Sequence, residues 1–549
     1  MYINKIGVVL RKSVYSASES QTINTNQMTI DIIIVLFYFV LVFVFALRGR
    51  QGSEVTSEEY FLSNRSLKWY SVAISTIATN VQGYQFLGMM GSAYLYGLAQ
   101  AGLEINAVQG LLMAAFIFVP LYLKEKVVTI TQFIQMKLGR RVGLFYSVAN
   151  ILLFSTIGLG AALFWGAYAA DLIFADFLSF IHEDRIIRIS VLLAALGIFS
   201  AIYTYLGGLT AVVKTDIIQF TILVIGGIIL VFVSIQHLGG WSQLYEKTPD
   251  LMHLHLPADH EKLPWIFIFG LFLLNINYWC ANQTVIQRSL AARSLKDAQV
   301  GLMVGGVMKY FMAIIIIVPG IALAGILADN PLSEPDQTFP YLVREFLPVG
   351  VRGIIVCALF ASLMSTVDST FNSLATLFSI DIYKGYFKKD ATDKQVVETG
   401  RRTIIFTLLT GVVMGWILVY VKFENPEAAF THTLNELRYY INCGIVVLIC
   451  ASAFLVFPNH RLALAAFLST IPLHLILQYL PTLDIGFPEL NYFVRAMWVI
   501  LIAFMILAIP MIAKNGIKPK EWLVFADNSM KQYAWGLVVS LVVLHVVFH

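Results

Sequence analysis

Long apolar runs separated by short polar segments dominate the chain. Runs long enough to cross a bilayer as helices fall near 29–47, 70–96, 99–123, 142–174, 187–206, 212–237, 263–287, 300–328, 348–379, 402–421, 428–457, 461–480, 490–513 and 532–548. The pattern predicts an all-α integral membrane protein of about fourteen transmembrane helices. Alternating the spans from an outside N-terminus puts "KEKVVTITQFIQMKLGRR", "RSLAARSLK", "KGYFKKDATDKQVVETGRR" and "KNGIKPK" on one face. These segments are rich in lysine and arginine, so that face is cytoplasmic and both termini are expected outside. Loops of the other face, such as "PTLDIGFPELN", are nearly free of basic residues.

Three places break the apolar pattern. The second span reads "STIATNVQGYQFLGMMG", with Asn80, Gln82, Gly83 and Gln85 in mid-run, and the seventh reads "LFLLNINYWCANQTVIQ", with Asn275, Asn277, Asn282 and Gln283. Lone amides in membrane helices commonly bond between helices, but clusters in two spans five helices apart are the mark of an inverted-repeat secondary transporter. On this reading 28–50 is an extra first helix, 51–260 and 261–457 are two five-helix repeats, and 458–549 holds three peripheral helices. The third break is "ALFASLMSTVDSTFNS". There Ser362, Ser365, Thr366, Ser369 and Ser373 form one helical stripe with Asp368 at its edge. Such a stripe must face protein, water or an ion rather than lipid.

Composition supports this class and removes others. Hydrophobic residues make up 58% of the 549 and charged residues 13%, more apolar than the roughly 45–50% of soluble domains. The net charge of +4 is read through loop placement and gives no nucleic-acid signal. The chain has no Walker A motif and no room for a nucleotide-binding domain, which argues against an ATP-driven pump. No nucleophile–base or metal constellation suggests an enzyme. Cys280, Cys357, Cys443 and Cys450 lie in apolar segments and read as buried small residues. Residues 1–27 are polar, and their apolar run "IGVVL" is too short for a signal peptide. They are expected to be a disordered leader, or to lie upstream of a true start at Met28. His253, His255 and His260 in "LMHLHLPADHEKLP" offer an HxH metal pattern, although loops of this composition are ordinarily just solvated.

Four stretches carry a family resemblance: "EEYFLSNRSLKWYSVAISTIATN", "YTYLGGLTAVVKTDIIQ", "QTVIQRSLAARSLKDAQ" and "LPVGVRGIIVCALFASLMSTVDSTFNSLATLFSIDIYK". Over about 28–420 the chain resembles the solute:sodium symporter family, in its bacterial sodium/galactose and sodium/glucose branch. The resemblance implies a LeuT-like 5+5 inverted repeat with two discontinuous helices, in the bacterial inner (plasma) membrane. It implies sodium as the coupling ion, no other cofactor and no obligate protein partner. The implied sodium ligands are the carbonyls of Ala78, Val81 and Ser362 and the hydroxyls of Ser365 and Thr366. A second site, as in the family's sialic-acid branch, would use Asp216, Asp368 and Ser369. Something positive must then stand between the two carboxylates: a second sodium, a shared proton or Lys214, whose ammonium could instead snorkel to water.

For the substrate, the resemblance implies Gln85, Glu104, Asn275, Tyr278, Trp279, Lys309 and Asn435. Glu104 and Lys309 each need a partner or a wet cavity at that depth, and could alternatively be a structural ion pair. The chain departs from the family at Leu103, at Tyr84 and in "TLNELRYYINCG". There Arg438 either meets an anionic substrate or pairs with Glu436. The expected function is sodium-coupled import of a hexose-like sugar by alternating access. The alternatives are an acidic sugar, inositol or carboxylate as substrate, or a non-transporting sensor or channel on the same fold.

Overall fold

The computed structural model describes residues 25–48, 55–424, 430–455, 459–483, 486–515 and 522–549. Residues 25–27 open the first helix, and the rest of the expected leader lies outside the described residues. Among the described residues the chain is helical throughout, apart from the isolated bridges Leu67–Ala292 and Leu256–Pro264.

Among the described residues, eleven helices are long and apolar enough to cross a membrane, where the sequence pattern predicts fourteen. The difference has a physical origin. Helix α3 (Arg185–Leu238) has 54 residues and would be about 80 Å long if straight, far beyond a bilayer of about 30 Å. It bends at Gly208, whose φ of +54° and ψ of −149° are non-helical. A β-carbon there would stand 2.4 Å from the Tyr60 carbonyl oxygen, so only glycine lets the two backbones meet. The later part of the second predicted span and the third join into one helical run, Gln85–Lys124. The seventh is short, Phe267–Ala281, because it is interrupted.

Burial separates core from rim. In α7 (Val351–Thr376), continued by Leu377–Phe387, 94% of the most apolar window is buried, against 22% in α1 (Thr25–Leu47) and in α9 (Ser529–Val547). The hydroxyl-rich helix is therefore sheathed by protein, as its stripe requires. It packs along α3, while α6 (Leu295–Ile326) packs on α2 (Trp69–Asn80). The rim helices expose Phe37, Trp535 and Val546, which suits a hydrocarbon solvent. Two acidic side chains tie distant helix starts together. Asp31 of α1 accepts from the Gly350 and Gly353 N–H groups (2.7 and 2.9 Å) at the start of α7. Asp297 accepts from the Trp69 N–H at 3.1 Å and from the Ser294 hydroxyl at 2.7 Å, so one carboxylate serves the starts of α2 and α6.

Gly208→Val should destabilise the protein by at least about 2 kcal/mol, through left-handed strain and the Tyr60 clash. Gly536→Ala, where a β-carbon meets nothing within 4 Å, should be neutral or stabilising. Melting of the two purified variants in detergent checks this: equal midpoints would mean that the bend tolerates a side chain.

Candidate functional site

Two helices stop in mid-run with nearly the same backbone. α2 ends at Val81 with φ −74° and ψ 102°. The seventh-span pair α4 (Phe267–Asn275) and α5 (Gln283–Leu290) is separated by a π segment and by Asn282, with φ −77° and ψ 113°. The discontinuities expected from the amide clusters are there. At the second break the freed carbonyls are taken up by protein: Tyr122 Oη donates to Cys280 O at 2.8 Å and Tyr146 Oη to Ala281 O at 2.7 Å. The Asn282 side chain caps α5 by accepting from the Thr284 N–H at 2.9 Å. At the first break, Thr366 of α7 donates to Thr79 O and to Ser362 O, both at 3.2 Å. Ala78 and Val81 flank that contact and are buried. Ser365 donates instead to Asp216. Carbonyl and hydroxyl oxygens thus meet where α2 opens against α7.

Beside the breaks lies a cavity of about 170 Å³, lined by Glu104, Asn275, Tyr278, Trp279, Lys309 and Asn435 among others. Six of the seven expected substrate residues thus share one space. The seventh, Gln85, does not line it. Its amide nitrogen donates to Glu104 Oε1 and its oxygen accepts from the Gln82 N–H, both at 2.6 Å, so it positions Glu104 from behind. Lys309 pairs with Glu104 and donates to Asn80 Oδ1 at 2.6 Å, and Asn80 in turn donates to the Tyr278 hydroxyl at 3.0 Å. Asn80 is a junction that sequence reasoning passed over, although it was visible as an amide at the end of α2. Asn275 donates to Asn106 O at 2.9 Å. Thr79 and Thr366 line the same cavity, so the hydroxyls at the first break and the amides of the cavity wall are neighbours.

Below, Asp216 and Asp368 are both fully buried. The positive group between them is Arg288, which the sequence reading did not consider. Its guanidinium lies 3.6 Å from Asp216 Oδ2 and donates to Ser75 Oγ at 3.0 Å and to Ser369 Oγ. Ser75 donates to Asp216 Oδ2 at 2.5 Å, Ser369 to Asp368 Oδ1 at 3.3 Å, and Tyr203 to Asp368 Oδ2 at 2.7 Å. Lys214 is exposed and donates to the Arg48 carbonyl at 3.2 Å, away from the pair. Glu436 pairs with Arg495 rather than with Arg438. The histidine loop is not simply solvated. His255 bonds His545 of α9 at 2.9 Å, His253 meets the His549 carbonyl at 3.1 Å, and His260 accepts from the Leu263 N–H at 3.0 Å.

A polar cavity beside two broken membrane helices is the plan of a membrane transporter. The chain belongs to the sodium:solute symporter family, whose model matches residues 60–468. These are sodium-coupled transporters rather than enzymes, and sodium is the coupling ion. The chain is 29% identical over 530 residues to the sodium/glucose cotransporter of Vibrio parahaemolyticus, covering 91% of this chain and 94% of that one. It is 30% identical over 439 residues to sodium/glucose cotransporter 4 of Mus musculus, covering 74% of this chain and 62% of its relative. A solved Na+-coupled sialic acid symporter, substrate-bound and outward-open, superposes with a TM-score of 0.75 at 19% identity, over 89% of this chain and 99% of that one. The last likeness concerns the fold.

Removing Arg288 would leave two buried carboxylates unopposed. Arg288→Met should cost about 3–5 kcal/mol, and adding Asp216→Asn should restore much of the loss. Detergent melting of both variants decides it. A single variant as stable as the parent would show that the guanidinium is not what holds the carboxylates.

Proposed function

We propose that the protein is a sodium-coupled symporter of a sugar or related polyol, importing it across the bacterial inner membrane by alternating access. The observation that carries this reading is the cavity wall. Carboxylate, ammonium and carboxamides converge on one small space beside two aromatic rings. That mixture of acceptors, donors and apolar faces is complementary to a polyhydroxylated ring. The relatives named above carry glucose by name, which agrees.

The chain folds, on this reading, as fourteen crossings: one helix at 28–50, five-helix inverted repeats at 51–260 and 261–457, and three helices at 458–549. Dividing α3 at Gly208 and the Gln85–Lys124 run near Gly97, and counting the interrupted seventh span, supports that number. The matching backbone at Val81 and Asn282 supports the repeat. Contacts at the chain ends support termini on one face, taken as outside. The Leu254 N–H donates to Phe548 O at 2.7 Å, and Asp31 holds the start of α7. Sodium sits among the carbonyls of Ala78, Val81 and Ser362 and the hydroxyls of Ser365 and Thr366. Asp216, Asp368 and Arg288, with the carboxylates ionised, sum to −1, a balance that a second sodium beside Asp368 and Ser369 completes. Lys309, which holds Glu104 in place, also lies 5.8 Å from the Trp279 ring centroid.

Proteoliposome uptake of labelled sugars, with and without an inward sodium gradient, tests the reading. Sodium-driven accumulation supports it, whereas binding without accumulation marks a sensor and gradient-independent flux a channel. Glu104→Gln should lower uptake of the accepted sugar at least about tenfold, since a charge-assisted bond is lost, while sodium binding and melting stay near the parent's. Loss of folded protein instead would mark Glu104–Lys309 as a structural pair.

A sodium titration of uptake checks the ion sites. Ser365→Ala with Thr366→Val should raise the half-saturating sodium concentration several-fold, because two of about five ligand oxygens vanish. Asp368→Asn should bring a Hill coefficient near two down towards one. A parent coefficient of one at every sugar concentration removes the second sodium.

A further inference from the structure

Among the described residues, one full positive charge on the cavity wall has no carboxylate to answer it. Asn435, Arg438 and Asn442 stand at i, i+3 and i+7 on α8 (Phe430–Phe454) and all three line the cavity. Glu436 is two residues away, where helical side chains diverge, and it is committed to Arg495. Among the described residues Arg438 takes part in no ion pair. Its guanidinium reaches the Ile157 carbonyl at 3.5 Å, the outer edge of a hydrogen bond. The phenols of Tyr84, Tyr278 and Tyr439 lie within its electrostatic reach. One turn on, Asn442 Oδ1 is buried with no donor among the described residues. A wall that presents an unanswered guanidinium and an orphan acceptor one turn apart is half of a recognition site.

The charges can be summed. Glu104 and Lys309 cancel, so Arg438 leaves the substrate cavity at +1, while the neighbouring Asp216–Arg288–Asp368 cluster, with both carboxylates ionised, sums to −1. An uncompensated charge at this depth is costly, and the two imbalances have opposite signs. A sodium ion corrects one, and an anionic substrate corrects the other. A guanidinium fork binds a planar carboxylate through two parallel bonds. A sugar phosphate would bring nearly two negative charges to a single positive one. The cavity, about 170 Å³, is smaller than the roughly 300–1,000 Å³ of drug-sized sites, which suits one ring rather than an oligosaccharide.

We propose that the substrate is a sugar acid, a single hexose-sized ring bearing one carboxylate. Arg438 receives the carboxylate, a neighbouring hydroxyl donates to Asn442 Oδ1, and the remaining hydroxyls meet Glu104, Lys309 and Asn435. The inference rests on the sodium-coupled sugar symport proposed above and narrows it.

The test compares glucose and galactose with glucuronate and galacturonate, and with glucose 6-phosphate, in sodium-driven uptake by proteoliposomes of the full chain. The hexuronates should half-saturate at concentrations at least about tenfold lower than the matching hexoses, the scale of one charge-assisted bond. Arg438→Met should abolish that preference by raising hexuronate half-saturation at least about tenfold more than hexose half-saturation, and Arg438→Lys should keep part of it. Should Arg438→Met fail to fold, the parent's preference and the Arg438→Lys variant still decide. Hexoses preferred by the parent, or equal losses for both classes in Arg438→Met, overturn the sugar-acid inference and leave sugar symport standing. A preference for the phosphate overturns the carboxylate. Sodium-driven uptake of none of the panel overturns both readings.

Discussion

A backbone carbonyl with no hydrogen-bond partner is costly in hydrocarbon, and this chain frees such carbonyls twice, at Val81 and at Asn282. The surroundings follow from that constraint. At the second break, phenols from Tyr122 and Tyr146 reach in to the Cys280 and Ala281 carbonyls, and the Asn282 side chain caps the next helix. That break is closed by protein. At the first, the answering groups are hydroxyls on α7, with Thr366 bridging Thr79 O and Ser362 O. Hydroxyls can donate to a carbonyl or turn their lone pairs towards a cation beside it. The hydroxyl stripe therefore belongs in a helix sheathed by protein, opposite the break that its own hydroxyls answer.

Charge obeys the same rule. Ions taken from water at this depth lose several kcal/mol each unless geometry and further hydrogen bonds compensate. Lys309 meets both Glu104 and Asn80, and Gln85 braces the far oxygen of Glu104. Arg288 touches Ser75, Ser369 and the Asp216 carboxylate. Hydroxyls thus lie between the charges as well as beside them. The result is a layered polar column running from Lys309 through Asn80 and Thr79 to Ser369 and Asp368, inside otherwise apolar packing.

Much of this was legible in the sequence because membrane burial makes polar residues conspicuous. The amide clusters marked both breaks, the hydroxyl stripe marked α7, and Glu104 and Lys309 stood out as ionisable groups in apolar runs. Arg288 was not legible for a related reason. It follows the apolar run ending at 287 and precedes Arg293, so it read as the first charge of a cytoplasmic loop, whereas the Asn282 break carries the chain onward as a buried helix. Lys214 looked the better counter-ion because it is close to Asp216 in sequence, yet two residues along a helix point it elsewhere. Glu436 and Arg438 illustrate the same geometry. Gln85 has the right neighbourhood and the wrong depth, one shell behind the cavity, which no linear pattern encodes. The helix count differs because hydropathy windows see apolar length, while Gly208 bends a hydrogen-bonded helix and the Gly97 region joins two.

The adjacency of Thr79 and Asn80 gives the proposed coupling a physical route. Thr79 presents its carbonyl to Thr366 and its hydroxyl to Ser369 at 3.0 Å, while Asn80 holds both Lys309 and Tyr278. They are the last two residues of α2, where no further helical turn fixes the backbone. An ion drawing in the carbonyls around Thr79 would therefore set the orientation of Asn80, and with it the ammonium and phenol that face the substrate. By linkage, a substrate that holds Lys309 and Tyr278 in that arrangement must tighten the ion site by the same free energy. A rigid, unbroken helix at Val81 would hold its carbonyls in its own ladder and offer no such exchange. On the proposed coupling, an α2 end held by α7 hydroxyls rather than by a further helical turn is what would let neighbouring residues sense two different ligands.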